Sequence, residues 1–290
     1  MAFKAYLSPR ELGSAIGVSE SSLKRWADEG RIDVSRTAGG HRRIYMAEVV
    51  RFIRDSGMPV LKPQLLGLEE LAEGQAAVGE EAAALESALT EGRASRVRGI
   101  IVSQYLAGVS LASICDDVIA PAMQHIGSLW EHGDSGIFIE HRATDLAIQA
   151  LNHLRVLMPR PKDSAPIAVG GCTQGDPYAL ASLMVATVLA ADGWREMNLG
   201  PDTPDAVLLS AVEQADAELA WLGVNLHESP GDLPQRIVRM AESLGQRNTL
   251  LVGGGRSWPR RITGAPASLH TVSSMSELAA LARGRRSASS

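Results

Sequence analysis

The sequence predicts a multidomain chain, all-α with one hairpin in its first half and α/β in its second. Three observations predict it. Two short capped helical stretches near the N-terminus are followed by a strand, a glycine pair and another strand. From Leu65 to about Leu157 the chain is alanine-rich and helical in period. Beyond Pro159-Arg160-Pro161-Lys162, short apolar runs alternate with helical stretches, the texture of a parallel sheet covered by helices.

The first stretch opens with Ser8 as a helix cap, Pro9 in the first turn and Glu11 where a capping box needs a carboxylate. Leu12, Ala15 and Ile16 fall on one face. Gly17-Val18-Ser19 makes a tight turn, and Ser19 caps a second helix from about Glu20 to Glu29. That helix presents Ser21, Ser22, Lys24 and Arg25 outward, with Leu23 and Trp26 inward. Gly30 ends it, and a hairpin from Ile32–Val34 returns through Arg42-Arg43-Ile44-Tyr45. Gly39-Gly40 at its tip permits positive φ, and His41, Arg42 and Arg43 form a wing suited to phosphates. The predicted element is a winged helix-turn-helix over residues 1–57, whose second helix enters the major groove of DNA. Ten Lys or Arg against seven Asp or Glu give this segment +3 within a chain of net charge −5, which concentrates the positive charge where nucleic acid would need it. The pattern resembles the MerR family of transcriptional regulators, over roughly residues 5 to 55.

Composition bounds the rest. With 290 residues, 45% of them hydrophobic and 21% charged, the chain is long enough for two or three cores. No apolar run reaches the length of a membrane span and Met1-Ala2-Phe3-Lys4 is not a signal peptide, so a cytoplasmic protein is expected. Cys115 and Cys172 are far apart and read as reduced thiols. The tail Ser287–Ser290 is expected to fray. There is no nucleophile elbow, phosphate-binding Gly-X-X-X-X-Gly-Lys loop or Cys-X-X-Cys pair, which argues against an enzyme.

Met58-Pro59-Val60-Leu61-Lys62-Pro63 opens a linker assigned to 58–79. Helices are predicted at Ala82–Thr90, Ala94–Ala107, Leu111–Trp130 and Ile139–Leu157, forming a four-helix bundle over 80–160. The α/β domain, 165–284, is predicted to be Rossmann-like, of the flavodoxin-like parallel-sheet type. Its strands lie at Ile167–Gly170, Trp194–Leu199, Leu219–Val224, Thr249–Val252 and near His270–Val272. Its helices lie at Tyr178–Asp192, Pro204–Ala215, Leu233–Leu244 and Ser276–Ala282. In such sheets ligands bind beyond the strand carboxyl ends.

The bundle and α/β domain together resemble the cobalamin-binding module found in methionine synthase and in CarH-type light-responsive repressors. The carrying motif is Trp130, nine residues, then Glu140-His141. The resemblance implies that Trp130 covers the upper face of the cofactor and that Glu140 and His141 border the same pocket. His132 is a further candidate ligand or propionate donor, with His125 on the same helix. Modules of this class carry Asp-X-His-X-X-Gly after the first strand, the histidine coordinating cobalt from below. Here the stretch is Asp176-Pro177-Tyr178-Ala179-Leu180-Ala181. A phenol, with a pKa near ~10, is a poor metal ligand beside imidazole, so the histidine-on mode is unavailable. A Cβ at Ala181 also narrows the channel that admits the nucleotide tail. Asn225, in Val224-Asn225-Leu226, stands where the family often has Ser-X-Leu, and Gly253, Gly254 and Gly255 keep a glycine-rich turn.

Three readings of the module follow. It binds a cobalamin, such as adenosylcobalamin, without a protein lower ligand; or it holds another tetrapyrrole, biliverdin or another bilin, or haem, with Cys115 or Cys172 as a point of covalent attachment; or it is a ligand-free oligomerisation unit. Tyr178 then hydrogen-bonds a ligand edge or fills the volume left by the missing tail. The expected function is a light-responsive transcriptional regulator binding a double-stranded DNA operator as a homodimer or homotetramer. The alternatives are a ligand-free DNA-bound scaffold and a corrinoid-handling enzyme.

Overall fold

The computed structural model describes residues 4–128, 134–226 and 232–289, side chains at 288 and 289 apart, and divides into two compact units, Met1–Pro159 and Arg160–Ser290. The first unit opens with β1 (Tyr6–Leu7) and α1 (Pro9–Ile16). The capping box forms: Glu11 N donates to Ser8 Oγ at 3.2 Å while Ser8 N donates to Glu11 Oε2 at 2.9 Å. That backbone donor at Ser8 holds the Glu11 carboxyl below its ordinary range. Gly17, at φ 77°, ends α1 in the left-handed region, where its missing Cβ removes the steric cost. Ser19 then caps α2 (Glu20–Asp28), accepting from Ser22 N at 3.1 Å. β2 (Ser35–Arg36) and β3 (Arg42–Tyr45) form the hairpin, and α3 (Met46–Ser56) follows. The three strands pair antiparallel in the order β1-β3-β2. Leu12, Leu23, Ile44, Val49 and Ile53 are buried at the centre of this head.

The segment read from its prolines as a linker is built into the unit. Leu61 N and Lys62 N both donate to Ala15 O, at 2.8 and 3.1 Å. Pro63 starts α4 (Pro63–Leu66), because a proline that cannot continue a helix can still begin one. A 3-10 turn at Glu69–Ala72 follows, and Leu66, Leu68 and Leu71 are buried. Glu70 is buried and its Oε1 lies 2.6 Å from His153 Nε2. Burial works to raise that carboxyl; His153, a backbone N–H and the Arg98 charge together outweigh it and leave it below its ordinary range.

The bundle comprises α5 (Glu81–Glu91), α6 (Ala94–Leu106), a helical stretch from Leu111 to Ser128, and α9 (Asp134–Leu157). The third of these is not uniform. After α7 (Leu111–Ser113) it widens into a π-helical segment, Ile114–Ile119, before α8 (Ala120–Ser128). Ala120 N reaches back to Cys115 O, and Pro121 next to it has no N–H to give, which accounts for the local change of hydrogen-bond step. α3 is fastened to α6: Arg54 stacks 4.3 Å from the Tyr105 ring centroid and donates to Tyr105 O and, at 2.8 Å, to Val109 O.

The second unit holds five parallel strands: β4 (Ile167–Thr173), β5 (Arg195–Thr203), β6 (Leu219–Gly223), β7 (Leu250–Gly254) and β8 (Leu269–Thr271). Their order is β5-β4-β6-β7-β8, the flavodoxin-like arrangement, with the order reversing between β4 and β6. α10 (Ala179–Ala191) and α13 (Met275–Ser289) pack together and α10 covers β4 and β6; α11 (Asp205–Ala215) and α12 (Leu233–Gly245) bury Leu208, Val212, Ile237 and Leu244 against Val169, Ala220 and Leu251 on the other face. β5 continues four residues past Leu199, and α13 runs well beyond Ala282 into the expected fraying tail. Arginines hold that extension: Arg283 bonds Asp192 Oδ2 at 2.9 Å, and Arg286 donates to Asp192 O.

Gly99 on α6 and Gly74 meet so closely that a Cβ on Gly99 would sit 2.1 Å from Glu70 O. Gly99→Ala is therefore expected to destabilise the protein by roughly 1–3 kcal/mol in urea unfolding, since the obstacle is backbone. Gly284→Ala, in open space on α13, is expected to be neutral or stabilising by up to about 1 kcal/mol.

Candidate functional site

Three groups of residues carry the expected chemistry, two in the first unit and one in the second. In the head, α2 places Ser21, Lys24 and Arg25 on an exposed face and half-buries Ser22; Leu23 is buried, and Trp26 packs on Phe52 at 5.5 Å between centroids. Lys24 pairs with Glu20 at 2.7 Å and Arg25 with Glu29 at 3.8 Å, exposed pairs along the helix that an anion can outcompete. Ser21 and Ser22 hydroxyls both lie within hydrogen-bond distance of Ser19 Oγ, at 2.8 and 2.9 Å. On the hairpin, His41 and Arg43 are exposed, Arg43 lying 4.5 Å over the Tyr6 ring. Arg42 departs from the expectation. Its guanidinium donates to Lys24 O at 2.9 Å and pairs with Asp28 at 2.5 Å, with its side chain 17% exposed. Arg42 thus ties the wing to the end of α2 rather than standing free for a phosphate.

In the α/β unit the expected ligand loop follows β4, beside the point where strand order reverses. Asp176 is fully buried. Its Oδ1 accepts from Tyr178 N at 3.0 Å; its Oδ2 accepts from Asn225 N at 2.6 Å and Asn225 Nδ2 at 3.1 Å. Its carbonyl accepts from Asp202 N at 2.9 Å. One residue therefore joins the loop after β4 to the end of β5 and to the segment after β6, and its buried carboxylate takes three donors. Asn225 supplies two of them.

Tyr178 stands at the N-cap position of α10 without a side-chain capping bond, the residue about 39% exposed. Cys172 is buried beneath it, Sγ donating to Tyr178 O at 3.0 Å; burial pushes the thiol up to about 12. Burial also raises the Cys115 thiol, in the π-helical segment. Neither cysteine has the environment of a nucleophile. The glycine-rich turn is spent on the chain itself. A Cβ on Gly253 would fall 1.8 Å from the Trp258 indole, and one on Gly254 2.6 Å from Val272 O. Gly255, at φ 119°, presses on Val224 O in the same way.

In the bundle, Glu140 is half-buried and accepts from Thr144 Oγ1 at 3.1 Å, while His141 is 70% exposed, 3.9 Å from Glu140. His125 pairs with Glu86 at 2.9 Å, on the outside of the bundle. Trp130 and His132 lie outside the described residues. Among the described residues no group of three His, Cys, Asp or Glu is placed to hold a metal, and no helix is long and apolar enough to cross a membrane. The residues of the α/β loop do not fit a lower-ligand role: the 178 side chain is a phenol and the aspartate beside it is fully engaged. Sequence reading missed that engagement, and also missed Trp221 and Ser182, which are joined by a hydrogen bond between β6 and α10.

Asp176→Ala is expected to cost roughly 2–4 kcal/mol, because two backbone N–H groups and an amide lose their acceptor together; Asp176→Asn should cost less, both read by urea unfolding. At pH 8, with the Cys172 thiol raised to about 12, neither cysteine is expected to take up a thiol reagent until the protein is denatured. Rapid labelling of the native protein would contradict this geometry.

Residues 81–155 match the family described as the B12 binding domain. The HTH-type transcriptional repressor CarA of Myxococcus xanthus is 25% identical over 222 residues, 73% of this chain and 74% of that protein. Dimethylamine corrinoid protein 1 of Methanosarcina acetivorans is 23% identical over 159 residues, 52% of this chain and 74% of the relative. Among solved structures, the Methanosarcina barkeri monomethylamine corrinoid protein superposes with a TM-score of 0.55 at 19% identity, covering 72% of this chain and 99% of that one. That likeness concerns fold: helices followed by a parallel five-stranded sheet. Residues 81–155 thus match a B12 binding domain, and the fold of the chain is that of the solved corrinoid protein.

Proposed function

We propose that the chain is a corrinoid-responsive transcriptional regulator, without catalytic activity of its own, that binds double-stranded DNA as a homo-oligomer. The observation that carries this reading is the coexistence, on one chain, of a capped two-helix head with a basic hairpin and a region matching the B12 binding domain. The alignment with the CarA repressor, over 73% of the chain, supports the same combination. In this reading the head is a winged helix-turn-helix. Ser21, Lys24 and Arg25 face the groove, and His41 and Arg43 approach the backbone phosphates. A single head brings few cations, so useful affinity calls for two or more heads on paired half-sites.

The ligand acts by favouring one assembly of the protein over another, a coupling of about 1–3 kcal/mol. The resemblance to CarH-type repressors makes light the input to examine. A second reading, a corrinoid-carrying partner in methyl transfer, draws on the dimethylamine corrinoid relatives. Tyr178 at the lower-ligand position and the N-terminal head weigh against it. The matches point to a corrinoid rather than a bilin or haem, and the two buried, raised thiols weigh against a covalently attached bilin.

Protein expressed with cobalamin, biliverdin or haem supplied in turn is expected to retain only the first, shown by its absorption spectrum. A red bilin band, a Soret band or a colourless protein would each defeat the corrinoid reading. Illumination of the adenosylcobalamin-loaded protein is expected to shift its sedimentation and its operator affinity together. Arg43→Ala should weaken DNA binding uniformly across sequences and lower the salt slope by about 1. Arg42→Ala should instead reduce stability by about 1 kcal/mol, as its contacts are internal.

A further inference from the structure

We propose that the α/β unit has closed its own tail channel, so that a corrinoid is recognised by its ring alone, with neither a protein lower ligand nor a buried nucleotide. This rests on the corrinoid reading above. In the motif that this chain resembles, the tail passes beside the glycine position, here Ala181 in the first turn of α10, and so between α10 and the sheet. That space is filled by Trp221. The residue lies on β6 and is 2% exposed; its indole covers Gly170 on β4, where a Cβ would come within 2.2 Å of Cδ2. Glycine at 170 is thus what lets the indole lie flat on the sheet.

The indole is also fastened. Its Nε1 donates to Ser182 Oγ on α10 at 2.9 Å, Ser182 Oγ donates to Asn198 Oδ1 on β5 at 2.8 Å, and Gly200 N donates to the same oxygen at 3.0 Å. The chain of donors runs from β6 through α10 to β5, across the width a tail would have to part. At the mouth, Cys172 Sγ is hydrogen-bonded to Tyr178 O and both oxygens of Asp176 accept from the chain itself, so the aspartate that would orient a metal-binding group at 178 is turned to backbone and amide donors. Loss of the ligand and filling of the slot are therefore two parts of one change. What is left for recognition is the planar macrocycle and its upper axial group.

The test compares adenosylcobalamin with adenosylcobinamide, which lacks the nucleotide, on the full-length protein. The two dissociation constants are expected to agree within about threefold. Reduced to Co(II), the cobinamide complex is expected to show no nitrogen splitting in its electron paramagnetic resonance spectrum, since any such nitrogen would come from the protein. A preference for cobalamin of roughly tenfold or more, or nitrogen splitting with cobinamide, would overturn this inference and leave the corrinoid reading standing. Retention of neither compound would overturn both. Trp221→Ala, checked for folding by circular dichroism, should introduce a preference for cobalamin; unchanged parity in a folded variant would show that the indole is not the plug.

Discussion

A buried carboxylate dictates the architecture of the α/β unit. Asp176 sits without solvent where the strand order reverses, and an ionised side chain there is tolerable only if donors surround it. The donors come from Tyr178 N and from both nitrogens of Asn225, and its own carbonyl takes Asp202 N. The loop after β4, the end of β5 and the segment after β6 are thereby fixed to one residue at the carboxyl edge of the sheet. That edge is where open α/β sheets bind ligands, and there both carboxylate oxygens of Asp176 are already engaged by the chain itself.

The same economy appears around it. Asn225, in the stretch set against Ser-X-Leu, is the partner of Asp176. Gly253 and Gly254 keep the identities of the pattern, yet their absent side chains make room for Trp258 and for the Val272 carbonyl. Identity at a motif position and the job done there have come apart. A glycine admits whatever approaches it, and here the approach comes from within the chain.

Much of the layout was legible because it rests on local chemistry. Ser8, Glu11, Gly17 and Ser19 announce the first two helices through hydrogen bonds that span three or four residues, and all form. Alternation of apolar runs with helical stretches was enough to read five parallel strands in a flavodoxin-like order. What escaped was set by distant partners. The segment after Pro59 was read as a linker, since prolines signal a stop; its burial depends on Ala15 O and on the close meeting of Gly74 and Gly99, far apart in sequence. The π-helical segment depends on one hydrogen bond reaching a residue too far back. Arg42 looked like its neighbour Arg43, and only the approach of Lys24 O and Asp28 separates the roles of the two side chains. Trp221 reads as an ordinary strand residue until Ser182 and Gly170 are seen against it.

Arg54 has a mechanical consequence. Its guanidinium is committed to carbonyls at the very end of α6 and stacks on the ring of the same turn, while its backbone belongs to the last turn of α3. A shift in the final turn of α6 would carry those acceptors with it, and α3 would have either to follow or to let go. Following moves α3 with the helix; letting go costs the Val109 carbonyl its Arg54 donor, while the Tyr105 carbonyl keeps Gly108 N. The hinge between bundle and head is thus a clutch with two settings rather than a hose that bends by degrees.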